Sequence, residues 1–101
     1  MKPKRDPRWL SFIRSLPCCM CLKPAPSEAH HSLAHKPGLG LKAHDHHTLP
    51  LCGGPQGCHA GLHTYQGRFR GWTKEQRKAW ERCKVDLYAP RTGEIADEKE
   101  F

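Results

Sequence analysis

The sequence contains little apolar material. Hydrophobic residues, counted without glycine, make up 37% of the 101, which is below the apolar content of about 45–50%, counted with glycine, of ordinary globular domains. A chain of this length, with nine glycines and nine prolines, buries only a small hydrophobic core. The composition therefore excludes a large domain held by apolar packing alone. It predicts one domain, residues 1–101, that needs a further staple, which means cross-links through disulfides or bound metal.

The sequence also lacks membrane and secretory segments. The start, MKPKRDPRW, is charged and has no apolar run of the signal-peptide type, and no later stretch reaches transmembrane length. We therefore expect a cytoplasmic protein with no membrane partner, whose cysteines stay reduced. Its six cysteines and eight histidines then indicate metal binding rather than disulfides as the staple.

The charge balance is strongly basic. The formal net charge is +7, and the positive residues concentrate in segments 1–16 and 66–91. Basic segments that flank a centre rich in Cys and His favour a polyanionic partner, most simply nucleic acid. An ordinary basic surface is the alternative at this point.

Local signals predict a small α+β fold. Asp6-Pro7 is typical of a helix start and predicts a helix over 7–15, with Trp9, Phe12, Ile13 and Leu16 packed inward. Short strands are expected within 22–33 and 46–52, joined by a flexible KPGLGLK connection, and the acidic tail EIADEKEF is expected to fray. A helix is expected from Cys58. Thr73 and Gln76 form a capping-box pattern that opens a helix over 73–88.

The last of these helices is predicted to be amphipathic. The side expected to pack inward is Ala79, Trp80, Cys83 and Leu87. The side expected to be solvated is Lys74, Arg77, Lys78, Glu81 and Arg82.

Four cysteines have the spacing of a structural zinc site. Cys18-x2-Cys21 matches a zinc knuckle, in which two thiolates on one tight turn reach the same ion. Cys52 and Cys58 are more widely spaced, but the GGPQG between them can curl back. Cys19 is out of step with this pattern and is expected to point away from the ion.

Two histidines provide a second ligand unit. His59 and His63 are four residues apart, so a helix would place both on one face. A third ligand could come from His30-His31, and on a strand these neighbours point to opposite faces, so that one could bind metal while the other acts as a base. A single Cys2His2 site within CGGPQGCHAGLH is the alternative.

Together these motifs resemble the HNH family of ββα-metal (His-Me finger) endonucleases. The matching order is Cys18-x2-Cys21, Ala29-His30-His31, HTLPLC and CHAGLH, which covers about 18–65. The pattern looks especially like small phage and prophage nucleases related to the phage recombination-enhancement nuclease. The resemblance implies a zinc-stapled ββα-metal core, flanked by N- and C-terminal helices, in a protein of the bacterial cytoplasm.

The resemblance also assigns roles to residues. His31 matches the general base, and His30, His59 and His63 match the ligands of the catalytic metal. His47 lies where many members carry the asparagine that braces the base, and because this chain has no asparagine, Asp45 could take over that role. Aligned instead on relatives that have Ala-His-Ile, His30 becomes the base.

The function implied is hydrolysis of DNA phosphodiester bonds with a structural Zn²⁺ and a catalytic Mg²⁺, Mn²⁺, Ni²⁺ or Zn²⁺. The cation would stabilise phosphate charge while His31 activates water. The residues expected to contact flanking phosphates are Arg68, Arg70, Lys74, Arg77 and Lys78. The alternatives are a non-catalytic zinc-stapled DNA-binding module and an accessory that acts through a host recombination protein.

Overall fold

Three α-helices and one antiparallel pair of strands make up the described part of the chain, residues 4–36 and 41–88 of a computed structural model. In chain order they are α1 (Pro7–Arg14), β1 (Glu28–His31), β2 (Thr48–Leu51), α2 (Cys58–Thr64) and α3 (Lys74–Tyr88). The predicted α+β class is confirmed. No helix in these two ranges is long and apolar enough to cross a membrane. Most of the predicted KPGLGLK connection and the whole acidic tail lie outside the described residues.

Helix α1 begins where the sequence predicts. The Asp6 side chain accepts a hydrogen bond from the Trp9 N–H at 3.1 Å, and Pro7 occupies the first turn. Trp9 and Ile13 are buried as expected, whereas Phe12 is 38% exposed, so its predicted inward packing is wrong.

The two strands form the centre of the fold. Glu28 lies opposite Leu51 and His31 lies opposite Thr48 in the antiparallel register. All four residues of β2 are buried, because α1 and α3 both contact this strand. The strand pair therefore holds His30 inside the protein and leaves its neighbour His31 partly exposed.

A tight loop leads from β2 into α2. Gly57 caps the helix, and a Cβ atom at this position would collide with the carbonyl groups of Cys52 and Gly53. Gly54 has a φ of +91°, which glycine adopts without steric cost. The GGPQG loop therefore curls back as expected, and α2 starts immediately after it.

The N-terminus of α3 carries the predicted capping box. The Gln76 N–H donates to Thr73 Oγ1 at 3.1 Å, and the Thr73 N–H donates to Gln76 Oε1 at 2.8 Å. The buried face of this helix differs from the prediction, however. Three residues expected to pack inward are exposed: Ala79, Cys83 and Leu87. The residues of α3 that are buried are Arg77, Glu81 and Val85.

The polar residues on this buried face satisfy one another. Arg77 Nε donates to Glu81 Oε2 at 3.0 Å, four residues along the helix, and Glu81 also contacts His30. Apolar periodicity predicted the wrong face because it assigns a salt-bridged carboxylate to solvent, although a fully paired one can lie inside.

Candidate metal centres

Four cysteine sulfurs converge from the loop after α1, the residue after β2 and the first residue of α2. They form the Cys set, which is Cys18, Cys21, Cys52 and Cys58. Their Sγ atoms all lie within 4.8 Å of one another. Cys21 Sγ and Cys52 Sγ are 3.7 Å apart, close to the separation of about 3.8 Å that tetrahedral Zn–S bonds of about 2.3 Å require. The four sulfurs therefore have the number, type and spacing of a structural zinc site.

Backbone N–H groups support the sulfurs of the Cys set. Met20 and Cys21 donate to Cys18 Sγ, each at 3.4 Å, and Cys58 donates to Cys52 Sγ at 3.2 Å. Burial raises the pKa of the Cys18 thiol, but these N–H groups outweigh it and lower that pKa to about 6. Burial and the neighbouring Cys18 charge raise the pKa of Cys58, so this set needs a cation before all its thiols ionise.

The two other cysteines of the described chain lie outside the Cys set. Cys19 is buried in the hydrophobic core, where burial raises its pKa to about 12. Its sulfur is not among the four clustered ones, as expected. Cys83, which the sequence placed in the core, is exposed on α3.

Three imidazoles form the His set, His30, His59 and His63. One ligand nitrogen from each lies within 4.8 Å of the others. The Nε2 atoms of His59 and His63 are 3.3 Å apart, and tetrahedral Zn–N bonds of about 2.1 Å would place them about 3.4 Å apart. The ring of His30 is centred 5.1 Å from each of the other two rings. These residues could therefore hold a divalent cation.

Two imidazoles of the His set, His30 and His63, favour the neutral state that metal ligation requires. Burial lowers the pKa of His30, despite the opposing effect of Glu81. Burial and the nearby His30 and His59 rings lower the pKa of His63 to about 4. A neutral imidazole offers the lone pair that a metal ligand needs.

Carboxylates orient two members of the His set. Glu28 Oε1 lies 2.6 Å from His59 Nδ1, which leaves His59 Nε2 free to bind. Glu81 Oε2 lies 2.8 Å from His30 Nε2 in a fully buried contact. Sequence reasoning missed both. Strand alternation could have found Glu28, two residues before His30, but no local signal marks Glu81.

His31 lies beside the His set and has a carboxylate partner of its own. Its Nε2 is 2.8 Å from Asp45 Oδ1, and Asp45 is 2% exposed. Burial raises the pKa of Asp45, but hydrogen bonds from His31 and the Asp6 N–H, with the Arg5 charge, hold that pKa below its usual value. Asp45 is therefore an anion, so His31 Nε2 is the donor in this contact.

The N-terminal segment fixes Asp45 in place. Arg5 donates to Asp45 Oδ1 at 2.8 Å and to the carbonyl of Ala43 at 2.9 Å. The Asp6 N–H donates to Asp45 Oδ2 at 2.6 Å. Arg5 is a further contributor to the site that sequence reasoning missed.

His47 makes a different contact from the one expected of a bracing side chain. Its carbonyl accepts from the Ser32 N–H at 3.0 Å, just beyond β1. Its ring stacks on His35 with centroids 4.5 Å apart, and its buried Nδ1 has no hydrogen-bond partner within the described ranges. Thus Asp45, rather than the His47 imidazole, contacts His31.

One cavity joins the His set to His31. It has a volume of about 560 Å³, and its walls include all three imidazoles of the His set, His31 and Arg77. A second depression of about 730 Å³ lies beside the Cys set and includes Arg68. Among the described residues, no histidine or carboxylate lines the second depression, and we call the first the His cavity.

The basic residues expected to contact phosphates are divided by the fold. Arg68, Arg70 and Lys74 are exposed, and Lys78 is partly exposed. Arg77 is only 6% exposed, because it pairs with Glu81 and lies over the Tyr65 ring, 5.8 Å from its centroid. Arg77 therefore belongs to the wall of the His cavity rather than to a solvated helix face.

Comparison of the sequence with known proteins finds a family and a relative whose functions are not described. Residues 1–84 match the family described as "Protein of unknown function (DUF968)". Over 68 residues the sequence is 40% identical to the uncharacterized protein YdfU of Escherichia coli (strain K12), a match that covers 61% of this chain and 18% of that protein. The chain thus spans less than a fifth of the length of this relative. No solved structure matches.

Proposed function

The chain belongs to the DUF968 family of proteins of unknown function, and we propose that it is a metal-dependent endonuclease that hydrolyses DNA phosphodiester bonds. One observation carries the proposal. The His cavity brings a three-imidazole metal centre together with a fourth imidazole, His31, that belongs to a separate hydrogen-bonded pair with Asp45. A hydrolase acting on phosphodiesters needs this division between a cation site and a base.

His31 is suited to act as the base. Since its Nε2–H donates to the Asp45 carboxylate, its Nδ1 carries the lone pair that accepts a proton from water. Asp45 holds this tautomer and stabilises the imidazolium formed on proton transfer. His30 is less suited to this role, because it is 1% exposed and its Nε2 is bonded to Glu81.

The His set provides the electrostatic part of the reaction. A divalent cation bound there supplies positive charge to the phosphate oxygens as negative charge develops on them. The three imidazoles accept Mn²⁺, Ni²⁺ or Zn²⁺ more readily than Mg²⁺, which prefers oxygen ligands. The Cys set, with its own Zn²⁺, serves only to hold the fold.

The order of elements supports a finer assignment to the ββα-metal core of HNH enzymes. His30 and His31 lie on β1, β2 follows as its antiparallel partner, and His59 and His63 lie on α2. The predicted DNA partner fits the net charge of +7. We assign phosphate contacts to the exposed Arg68, Arg70 and Lys74 with Lys78, and we assign Arg77 to the cavity wall.

Plasmid nicking tests the proposal. Purified protein should convert supercoiled DNA to open circles with added Mn²⁺ or Ni²⁺, and EDTA should abolish the reaction. His31→Ala should remove cleavage while DNA binding and zinc content stay at wild-type levels. His46→Gln is the matched control, because His46 pairs with Asp6 outside the His cavity and glutamine can still donate to it.

Two results would overturn this assignment. DNA binding without metal-dependent nicking would favour a zinc-stapled binding module or a recombination accessory. If cleavage survives His31→Ala but is lost in His30→Ala while metal is still bound, the general base is His30 rather than His31.

A further inference from the structure

Helix α3 places a fully buried carboxylate against the His set. Glu81 has 0% exposure, and it lies beyond the stretch 18–65 that carries the HNH motifs. Its Oε2 accepts from His30 Nε2 at 2.8 Å and from Arg77 Nε at 3.0 Å. Its Oε1 accepts from the Ala34 N–H at 3.1 Å and the Ser32 hydroxyl at 3.3 Å.

This degree of burial requires an explanation. Removing a carboxylate from water is costly, and an apolar side chain of similar volume is often at least as stabilising in such a place. One partner, Arg77, is four residues away on the same helix, and the others lie on β1 and just after it. Glu81 therefore ties α3 to the strand that carries the first ligand of the His set.

The contact with His30 determines which nitrogen is available. Glu81 is the carboxylate of a salt bridge with the Arg77 guanidinium, and its Oε1 accepts from two further donors. An ionised carboxylate can only accept, so His30 Nε2 must carry the proton. His30 Nδ1 is then left with the lone pair.

We propose that Glu81 is a positioning residue that fixes the ring and tautomer of His30, so that Nδ1 is presented to the cation of the His set. The inference rests on the metal centre of the proposed function. Glu81 acts through His30 rather than as a ligand, because the mutually close ligand atoms come from the three imidazoles without it. Carboxylates that hold a ligating histidine in this way typically account for about 10–100-fold in metal affinity.

Glu28 offers an internal comparison. It contacts His59 through Nδ1 and leaves Nε2 free, but it is 55% exposed. Solvent competes for an exposed contact, whereas the contact of Glu81 is shielded. Removing the Glu28 charge should therefore weaken cation binding less than removing the Glu81 charge.

The test measures Co²⁺ binding to the full chain by titration calorimetry, with no DNA present and with the Cys set loaded with zinc. Glu81→Gln should lower Co²⁺ affinity at the His set by about 10–100-fold. Glu28→Gln should lower it less, and Glu75→Gln, on an exposed residue of the same helix, should leave it unchanged. Zinc content and thermal melting show whether each variant is folded.

A second measurement needs no variant. Long-range ¹H–¹⁵N NMR of the wild-type protein, with zinc in the Cys set and the His set empty, should show His30 protonated at Nε2 and unprotonated at Nδ1. If Glu81→Gln does not fold, Glu81→Asp keeps the charge, shortens the reach and should give an intermediate loss of affinity.

Three results would overturn the inference: Co²⁺ affinity unchanged in a folded Glu81→Gln variant, a proton on His30 Nδ1, or no Co²⁺ bound by the His set of the wild type. Failure of the nuclease proposal looks different. A chain whose Co²⁺ affinity depends on Glu81 but which never nicks DNA contradicts only the nuclease. If the protein nicks DNA but its Co²⁺ affinity is unchanged by Glu81→Gln, only the positioning role is contradicted.

Discussion

Asp45→Asn separates the orientation of His31 from the binding of metal. The Asp45 carboxylate accepts three hydrogen bonds, from Arg5 and His31 on Oδ1 and from the Asp6 N–H on Oδ2. Asparagine has the same shape but offers one acceptor oxygen and one NH₂ donor. Neither orientation of the amide can satisfy all three donors.

The magnitude follows from these contacts. If the amide oxygen faces Arg5 and His31, the NH₂ group meets the Asp6 N–H, and at least one hydrogen bond to a charged group is lost, about 1.5–3 kcal/mol of stability. If the oxygen faces Asp6, His31 Nε2 must become an acceptor. Its proton then moves to Nδ1, the nitrogen that should receive the proton from water. In either orientation the His31 imidazolium also loses the stabilising Asp45 charge, so cleavage should fall by about 10²–10⁴-fold, the usual contribution of a general base.

The assay combines single-turnover plasmid nicking with urea denaturation and metal analysis. We expect the variant to keep its metal content, lose stability as estimated and lose cleavage. Asp86→Asn, on an exposed residue of α3, is the matched control and should behave as wild type. Cleavage within threefold of wild type in a destabilised Asp45→Asn protein would refute the claim that Asp45 sets the tautomer of His31.

Three further perturbations test the fold. Cys58→Ser should abolish tight zinc binding and unfold the chain, as measured by circular dichroism, because zinc binding contributes about 10–16 kcal/mol whereas the net free energy of unfolding of a small domain is only about 5–15 kcal/mol. Cys83→Ser is the control and should have neither effect. A folded Cys58→Ser protein would contradict the role of zinc in holding the fold. Asp6→Ala should cost about 1 kcal/mol in urea denaturation through the lost cap of α1, and no change would mean that this cap is dispensable. Leu62→Ala, at a fully buried position, should lower the free energy of unfolding by about 2–5 kcal/mol. Leu87→Ala, at a position that is 63% exposed, should change it by no more than about 0.5 kcal/mol. Equal losses would contradict the observed orientation of α3.

Local signals in the sequence predicted the element boundaries well. Asp6-Pro7 and the Thr73–Gln76 capping box act within one helical turn, so residue order alone contains them. The spacings within the two cysteine pairs and between His59 and His63 are local in the same sense, since the members of each pair are three to six residues apart.

The part that could not be predicted depends on contacts between distant segments. Glu81 reaches His30 across 51 positions of sequence, and Arg5 reaches Asp45 across 40. Hydrophobic patterning assigns charged residues to solvent unless a partner is known, and these partners become neighbours only after folding. The orientation of α3 was therefore mispredicted at Cys83 and Leu87, while its ends were predicted correctly.

The direct succession of Cys58 and His59 fixes the rotational phase of α2. The Cys58 N–H donates to Cys52 Sγ at 3.2 Å, and the His59 N–H donates to the carbonyl of Cys52 at 3.1 Å, so the Cys set clamps the first turn of the helix. Each residue of an α-helix advances about 100° around its axis. One residue inserted between Cys58 and His59 would turn His59 and His63 about that far from His30, with every ligand still present. One residue inserted at the exposed Pro55-Gln56 would lengthen only the loop and preserve the phase. In this protein, the number of residues between the Cys set and the His set therefore fixes the angle at which His59 and His63 face His30.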